Sequence, residues 1–199
     1  MEGFAFEEVA FEEVAFEASG VRSSTRSING GSCMSIIEIA RDEKTGALDV
    51  VERMASANSW PFERAGEDEI ALHVTGRWTN YQISFTWMHD IEALHLACAF
   101  DMKVPELRLA EVQALIALIN EQLWIGHFDV WIQNGVVMFR HALVLAGGVT
   151  ASDRQCEALF ASALDSCERY FPAFQFVIWA GQSAREAMDS AMFETSGEA

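Results

Sequence analysis

The clearest pattern in the chain is a strict alternation: Tyr81, Ile83, Phe85 and Trp87 are apolar, and Gln82, Ser84 and Thr86 between them are polar. Period two is the signature of a strand with one face buried. Ile70, Leu72 and Val74 alternate in the same way with Ala71, His73 and Thr75, which predicts a strand before it, joined by a loop over Gly76–Thr79. A two-residue turn at His89-Asp90 would fold the next strand back and pair Phe85 with Leu94, Ile83 with Leu96 and Tyr81 with Cys98. The opposite face would then pair Thr86 with Ala93, Ser84 with His95 and Gln82 with Ala97. One face is greasy and the other small and polar, so a slip of one residue would mix them. The alternation returns from His127 to Leu145 around Asn134-Gly135, a strong type I′ hairpin signal. That turn would pair Ile132 with Val137, Val130 with Phe139 and Phe128 with His141, and on the other face Trp131 with Met138 and Asp129 with Arg140.

Between and around the strands the spacing becomes helical. Val50, Val51, Met54 and Ala57 predict an amphipathic helix over Leu48–Trp60, with Asp49 placed as N-cap and Pro61 as its stop. Pro105 stands where a second helix would begin. Over Leu107–Trp124 its apolar residues cover more than one stripe, as in a helix packed on several sides. Ser152-Asp153-Arg154-Gln155 reads as a capping box opening a helix through Cys167. Pro172 should bend or interrupt it, and helical spacing resumes over Phe174–Met192 with Gly181 as a weak point. The order α-β-β-β-α-β-β-α, with a further helical stretch, predicts an α+β fold: a five-stranded antiparallel sheet with helices packed against it.

Residues 1–33 differ in texture. AFEEV-AFEEV-AFEAS runs from Ala5 to Ser19, followed by a stretch rich in Ser, Arg, Asn and Gly up to Cys33. On a helix Phe6, Phe11 and Phe16 would step by about 140° and share no face. We expect a low-complexity, disordered extension or, as the favoured reading, a true start at Met34, with a single domain over 34–199. The 199 residues carry 30 acidic against 13 basic side chains, a formal net charge of -17. With no Lys/Arg cluster, nucleic acid and anionic membranes are disfavoured as partners, and the Leu109–Leu123 run is too short and too polar to span a bilayer. The N-terminus has no basic and apolar signal pattern. Cys33, Cys98, Cys156 and Cys167 lack metal-knuckle spacing and suit small core residues in a reducing cytoplasm.

Chemistry is harder to find. His73 and His95 fall on strands either side of the Tyr81 strand, and His127 and His141 project to opposite faces of their hairpin, so no three or four ligands converge on an ion. There is no G-x-S-x-G elbow, and no base is placed beside a thiol. Gly147-Gly148 could offer amides to an anion but lacks either phosphate-loop motif, and reads as a strand-to-helix connection. Trp124, Phe128, Phe139, Phe171, Phe174 and Trp179 are expected in the core. Trp131 differs, because Asp129, Gln133, Met138 and Arg140 share its face, a mixture typical of an interface. Trp131, Met138 and Arg140 are therefore the candidate protein-binding surface; no catalytic, cofactor or metal residues are assigned.

The segments L-H-L-A-C-A-F-D (94–101), N-E-Q-L-W-I-G-H-F-D (120–129) and P-A-F-Q-F-V-I-W-A-G (172–181) resemble the YbjN family of bacterial proteins over Met34 to Ala199. The resemblance implies a sensory-transduction regulator whose fold is similar to type III secretion chaperones, which are small acidic proteins that commonly dimerise and hold an extended partner segment. The expectation is a cytoplasmic, non-enzymatic regulator or chaperone-like module that binds a protein, needs no cofactor and forms a possible homodimer. The alternative is a sensor holding a small molecule between the sheet and the Leu107–Trp124 helix.

Overall fold

The computed structural model describes residues 46–196, and the N-terminal repeat and Cys33 lie outside them. The elements are α1 (Gly46–Ala57), β1 (Phe62–Arg64), β2 (Glu69–Thr75), β3 (Asn80–Met88), β4 (Ala93–Lys103), α2 (Leu109–Asn120), β5 (His127–Trp131), β6 (Val136–Val144), α3 (Asp153–Ile178) and α4 (Ala184–Ser196). The sheet is antiparallel, in the order β1-β2-β3-β4-β6-β5. It has six strands where the pattern predicts five. The extra strand, β1, is a three-residue edge pairing Phe62 with Leu72 and Arg64 with Ile70, too short for alternation to show.

Both hairpin registers differ from expectation by two residues. Phe85 pairs with Leu96, Ile83 with Cys98 and Tyr81 with Phe100, because a 3-10 turn over His89–Ile91 followed by Glu92 in the left-handed region lengthens the connection to four residues. Likewise Trp131 pairs with Val136, Val130 with Val137 and Phe128 with Phe139, so Ile132 belongs to the loop. A two-residue shift preserves the faces, and the predicted division into a greasy and a small polar side survives.

The greasy side carries the core. Ile70, Leu72, Val74, Tyr81, Ile83, Phe85, Leu94, Leu96, Cys98, Phe100, Phe128, Val137 and Phe139 join the buried faces of α1, α2, α3 and α4 in one cluster. At its centre Phe100 meets Phe171 and Phe174 with ring centroids 5.4 and 5.3 Å apart, and Phe128 meets Phe139 at 5.4 Å, distances at which edge-to-face packing adds to burial. These rings occupy the space between sheet and helices.

Several local expectations are corrected. α1 starts at Gly46, so Asp49 sits in its first turn and not at the cap, where its carboxylate accepts from Arg64 at 3.1 Å. α3 runs unbroken through Pro172 to Ile178, and the break before α4 falls at Trp179–Ser183, with Gly181 at φ 72°. The α3 capping box forms as predicted, Ser152 and Gln155 bonding each other's backbone amides. Trp124 is fully exposed and Trp179 is 65% exposed. Both fall in turns beyond the helix ends, where helical spacing no longer fixes a direction.

Candidate functional site

Among the described elements the helices cover one side of the sheet. The other side is built from residues of opposite parity: Ala71 and His73 on β2; Gln82, Ser84 and Thr86 on β3; Ala93, His95, Ala97 and Ala99 on β4; Met138, Arg140 and Ala142 on β6; His127, Asp129 and Trp131 on β5. Ser84, Ala93, Ala99 and Met138 are buried, yet none joins the core cluster. The result is a floor of small side chains with larger ones towards β6 and β5.

Trp131, Met138 and Arg140 all lie on this side. Trp131 and Arg140 are half-buried and Met138 is buried, at 6% exposure, so any contact surface would come from Trp131 and Arg140 with Met138 beneath. Asp129 stands opposite Met138, not opposite Arg140, and the ion pair runs diagonally, Arg140 Nη1 to Asp129 Oδ2 at 3.4 Å. Asp129 also accepts the Val130 amide at 2.8 Å through Oδ1.

At the β5 end of this face a cavity of about 340 Å³ is lined by His95, Gly126, His127, Arg140, His141 and Ala142. Gly126 turns the chain at φ 67°, close against Phe139 and the Arg140 carbonyl. Arg140 donates its Nε hydrogen to His95 Nε2 at 3.3 Å, which leaves the His95 proton on Nδ1. Burial, then the charge of Arg140 and the imidazoles of His127 and His141, hold His95 down at about 4. His141 is lowered too, by burial first and then by His127. His127 and His141 alternate onto opposite faces, as expected. Both nevertheless line this cavity, because the β5–β6 pairing stops at His127↔Arg140, one residue short of His141. Alternation alone could not reveal that convergence, since it depends on where the edge strand ends.

A second cluster sits on the core side. Glu168 of α3 accepts the Arg77 amide at 2.6 Å, and its carbonyl accepts from Trp78 Nε1 at 3.0 Å, tying the β2–β3 loop to the helix. Tyr81 is fully buried beside it, and neither its hydroxyl nor Glu168 Oε2 has a hydrogen-bond partner of good geometry. Burial, followed by the Glu168 charge, pushes the Tyr81 phenol far up. Cys98 and Cys167 are buried close by, and burial also raises the Cys167 thiol well above its ordinary value. A thiol pushed up is a poor nucleophile, and the cluster is structural in character. The Gly147-Gly148 amide does meet an anion, but an internal one: Gly147 N–H donates to the Glu92 carboxylate at 2.9 Å. Among the described residues no three His, Cys, Asp or Glu side chains are grouped to hold a metal ion, and no helix is long and apolar enough to cross a membrane.

No curated protein matches the chain. The solved structure of YbjN from E. coli, described as a putative transcription regulator, is 11% identical over 61% of this chain and 86% of that one, with a TM-score of 0.46. The model of the YbjN family, described as "Putative bacterial sensory transduction regulator", matches residues 47–176. That span is more than half of the sequence and takes in every strand of the sheet. The chain belongs to the YbjN family.

Proposed function

We propose that the chain is a non-enzymatic regulator that works by binding a basic protein partner on the sheet face against which no described helix packs, with Trp131 and Arg140 as the principal contacts over Met138. The observation that carries this is the one-sided sheet. Among the described residues the six strands are covered by helices on one side, while on the other a floor of small side chains lies beside a half-buried Trp and Arg, residue types over-represented where interfaces concentrate their binding energy. Glu63, Glu69, Asp101 and Asp129 lie on the same side, and the chain's charge of -17 would steer a basic surface towards it. The family description as a sensory-transduction regulator supports a regulatory role.

The same reading extends to a cytoplasmic location, a chaperone-like way of holding a partner and a homodimer as one possible assembly. Against the alternative, a sensor with a ligand held between the sheet and α2, stands the burial of Val112, Leu115, Ile116 and Ile119 in the same core cluster as Phe100 and Phe128. Affinity capture with wild type and with Trp131→Ala tests the proposal. A stoichiometric basic partner should be lost with the variant, and its retention would remove the face from consideration.

A further inference from the structure

The cavity lined by His95, His127, Arg140 and His141 combines features that occur together nowhere else among the described residues. Three imidazoles and a guanidinium converge from three strands, with Asp129 the one carboxylate bonded to the group. In a chain of net charge -17 this is a local concentration of hydrogen-bond donors. Among the described residues Arg140 is engaged by His95 through Nε and by Asp129 through Nη1, the latter at a long 3.4 Å. Its Nη2 hydrogens are therefore left for a ligand. A planar guanidinium flanked by imidazoles suits an oxyanion, because Arg offers paired N–H donors and each imidazole adds another. The volume, about 340 Å³, lies at the small end of ligand sites.

The geometry points to a binding site here for a small oxyanion, a phosphate or carboxylate group, held by Arg140 with His127 and His141. Such a ligand would give a regulator of this family an input that shares Arg140 with the proposed protein-binding surface, yet the assignment stands on the cavity alone and does not depend on that surface existing. It also accounts for the arrangement around Arg140. His95, kept neutral, orients the guanidinium through Nε and leaves the far edge of the fork to the ligand. Gly126 brings β5 close enough for His127 to reach the same space.

The test is a titration of the full chain with inorganic phosphate and, separately, with malonate, followed by the imidazole resonances of all five histidines and by calorimetry. His95, His127 and His141 should shift saturably at millimolar ligand, while His73 and His89, outside the cavity, should stay still and serve as internal controls. Arg140→Gln should weaken binding about tenfold or more, the loss expected for a charge-assisted contact. His127→Gln, at an exposed strand end, should weaken it by a smaller factor without disturbing the fold. Preference for one probe identifies the oxyanion class. Absence of saturable shifts with both probes, equal shifts at all five histidines, or unchanged affinity in both variants would overturn the assignment.

Discussion

Cys98 of β4 and Cys167 of α3 face each other inside the core with their sulfurs 3.4 Å apart, and neither side chain is accessible to solvent. Cys167 donates its thiol hydrogen to Cys98, and burial raises the Cys167 thiol. Cys156, also fully buried, is pushed up to about 11 by burial and then by Asp153. Since the thiolate is the reactive species, none of the three should react in the native protein. Residue-resolved mass spectrometry after maleimide treatment should find Cys98, Cys156 and Cys167 unlabelled in buffer and fully labelled in denaturant. Labelling of Cys98 or Cys167 in buffer at the rate of a free thiol would show that the β4–α3 interface opens.

Gly126 tests the turn that builds the cavity. It sits at φ 67°, and an added Cβ would overlap the Phe139 ring and come within 2.9 Å of the Arg140 carbonyl oxygen. Gly126→Ala combines left-handed strain with overpacking, and should destabilise by about 2–4 kcal/mol. Urea unfolding followed by tryptophan fluorescence measures this. A change under about 0.5 kcal/mol, the usual size for an unconstrained surface substitution, would mean that the turn relaxes.

Tyr81→Phe should behave differently, although Tyr81 is fully buried. Its hydroxyl makes no hydrogen bond of good geometry, so removing it relieves an unsatisfied buried polar group and leaves stability unchanged or slightly higher. Glu168→Ala, by contrast, removes the acceptor of the Arg77 amide and should loosen the β2–β3 loop. Faster amide exchange at 76–79 in Glu168→Ala, with none in Tyr81→Phe, is the expected result. A loss above about 1 kcal/mol in Tyr81→Phe would show that the hydroxyl is bonded in solution.

His95 gives the fold a pH response. Its folded value is lowered from 6.5 to about 4, so between those values the unfolded chain binds a proton that the folded chain does not. Stability from this group is present in full above about pH 6.5 and falls as pH drops towards 4. Arg140, His127 and His141 face it, and Asp129 pairs with Arg140. Comparing unfolding free energies at several pH values in wild type and His95→Gln should give a shallower acid decline in the variant. Identical slopes would assign the decline to other groups.

Much of the architecture can be read from local pattern. The alternation over Tyr81–Trp87 and 136–144 identifies the sheet and its two faces, and Ser152 with Gln155 marks the start of α3. Register is less legible. It depends on loop length, and Glu92 takes a left-handed conformation that nothing in its residue type requires. Long-range polar clamps are not legible at all. Arg108 donates to the Val177 carbonyl at 2.8 Å and to the Gln182 carbonyl at 2.7 Å, closing the α3–α4 junction across some seventy positions of sequence with no local signal. The candidate face shows the same division. Parity places Trp131, Met138 and Arg140 together from the sequence alone, whereas the meeting of His95, His127 and His141 follows from where β5 stops.

The central claim, that the sheet face opposite the described helices is the working surface, is tested most directly by one comparison. Tagged wild type, Trp131→Ala and Trp124→Ala are used to capture proteins from lysate of the native host, with quantitative mass spectrometry of what co-purifies. Trp124 is fully exposed but lies in the α2–β5 turn beyond the strands, and so controls for nonspecific adhesion through an exposed indole. The account predicts a basic protein recovered at stoichiometric level with wild type and Trp124→Ala, and lost with Trp131→Ala. Equal recovery with Trp131→Ala, or loss with Trp124→Ala alone, would contradict it.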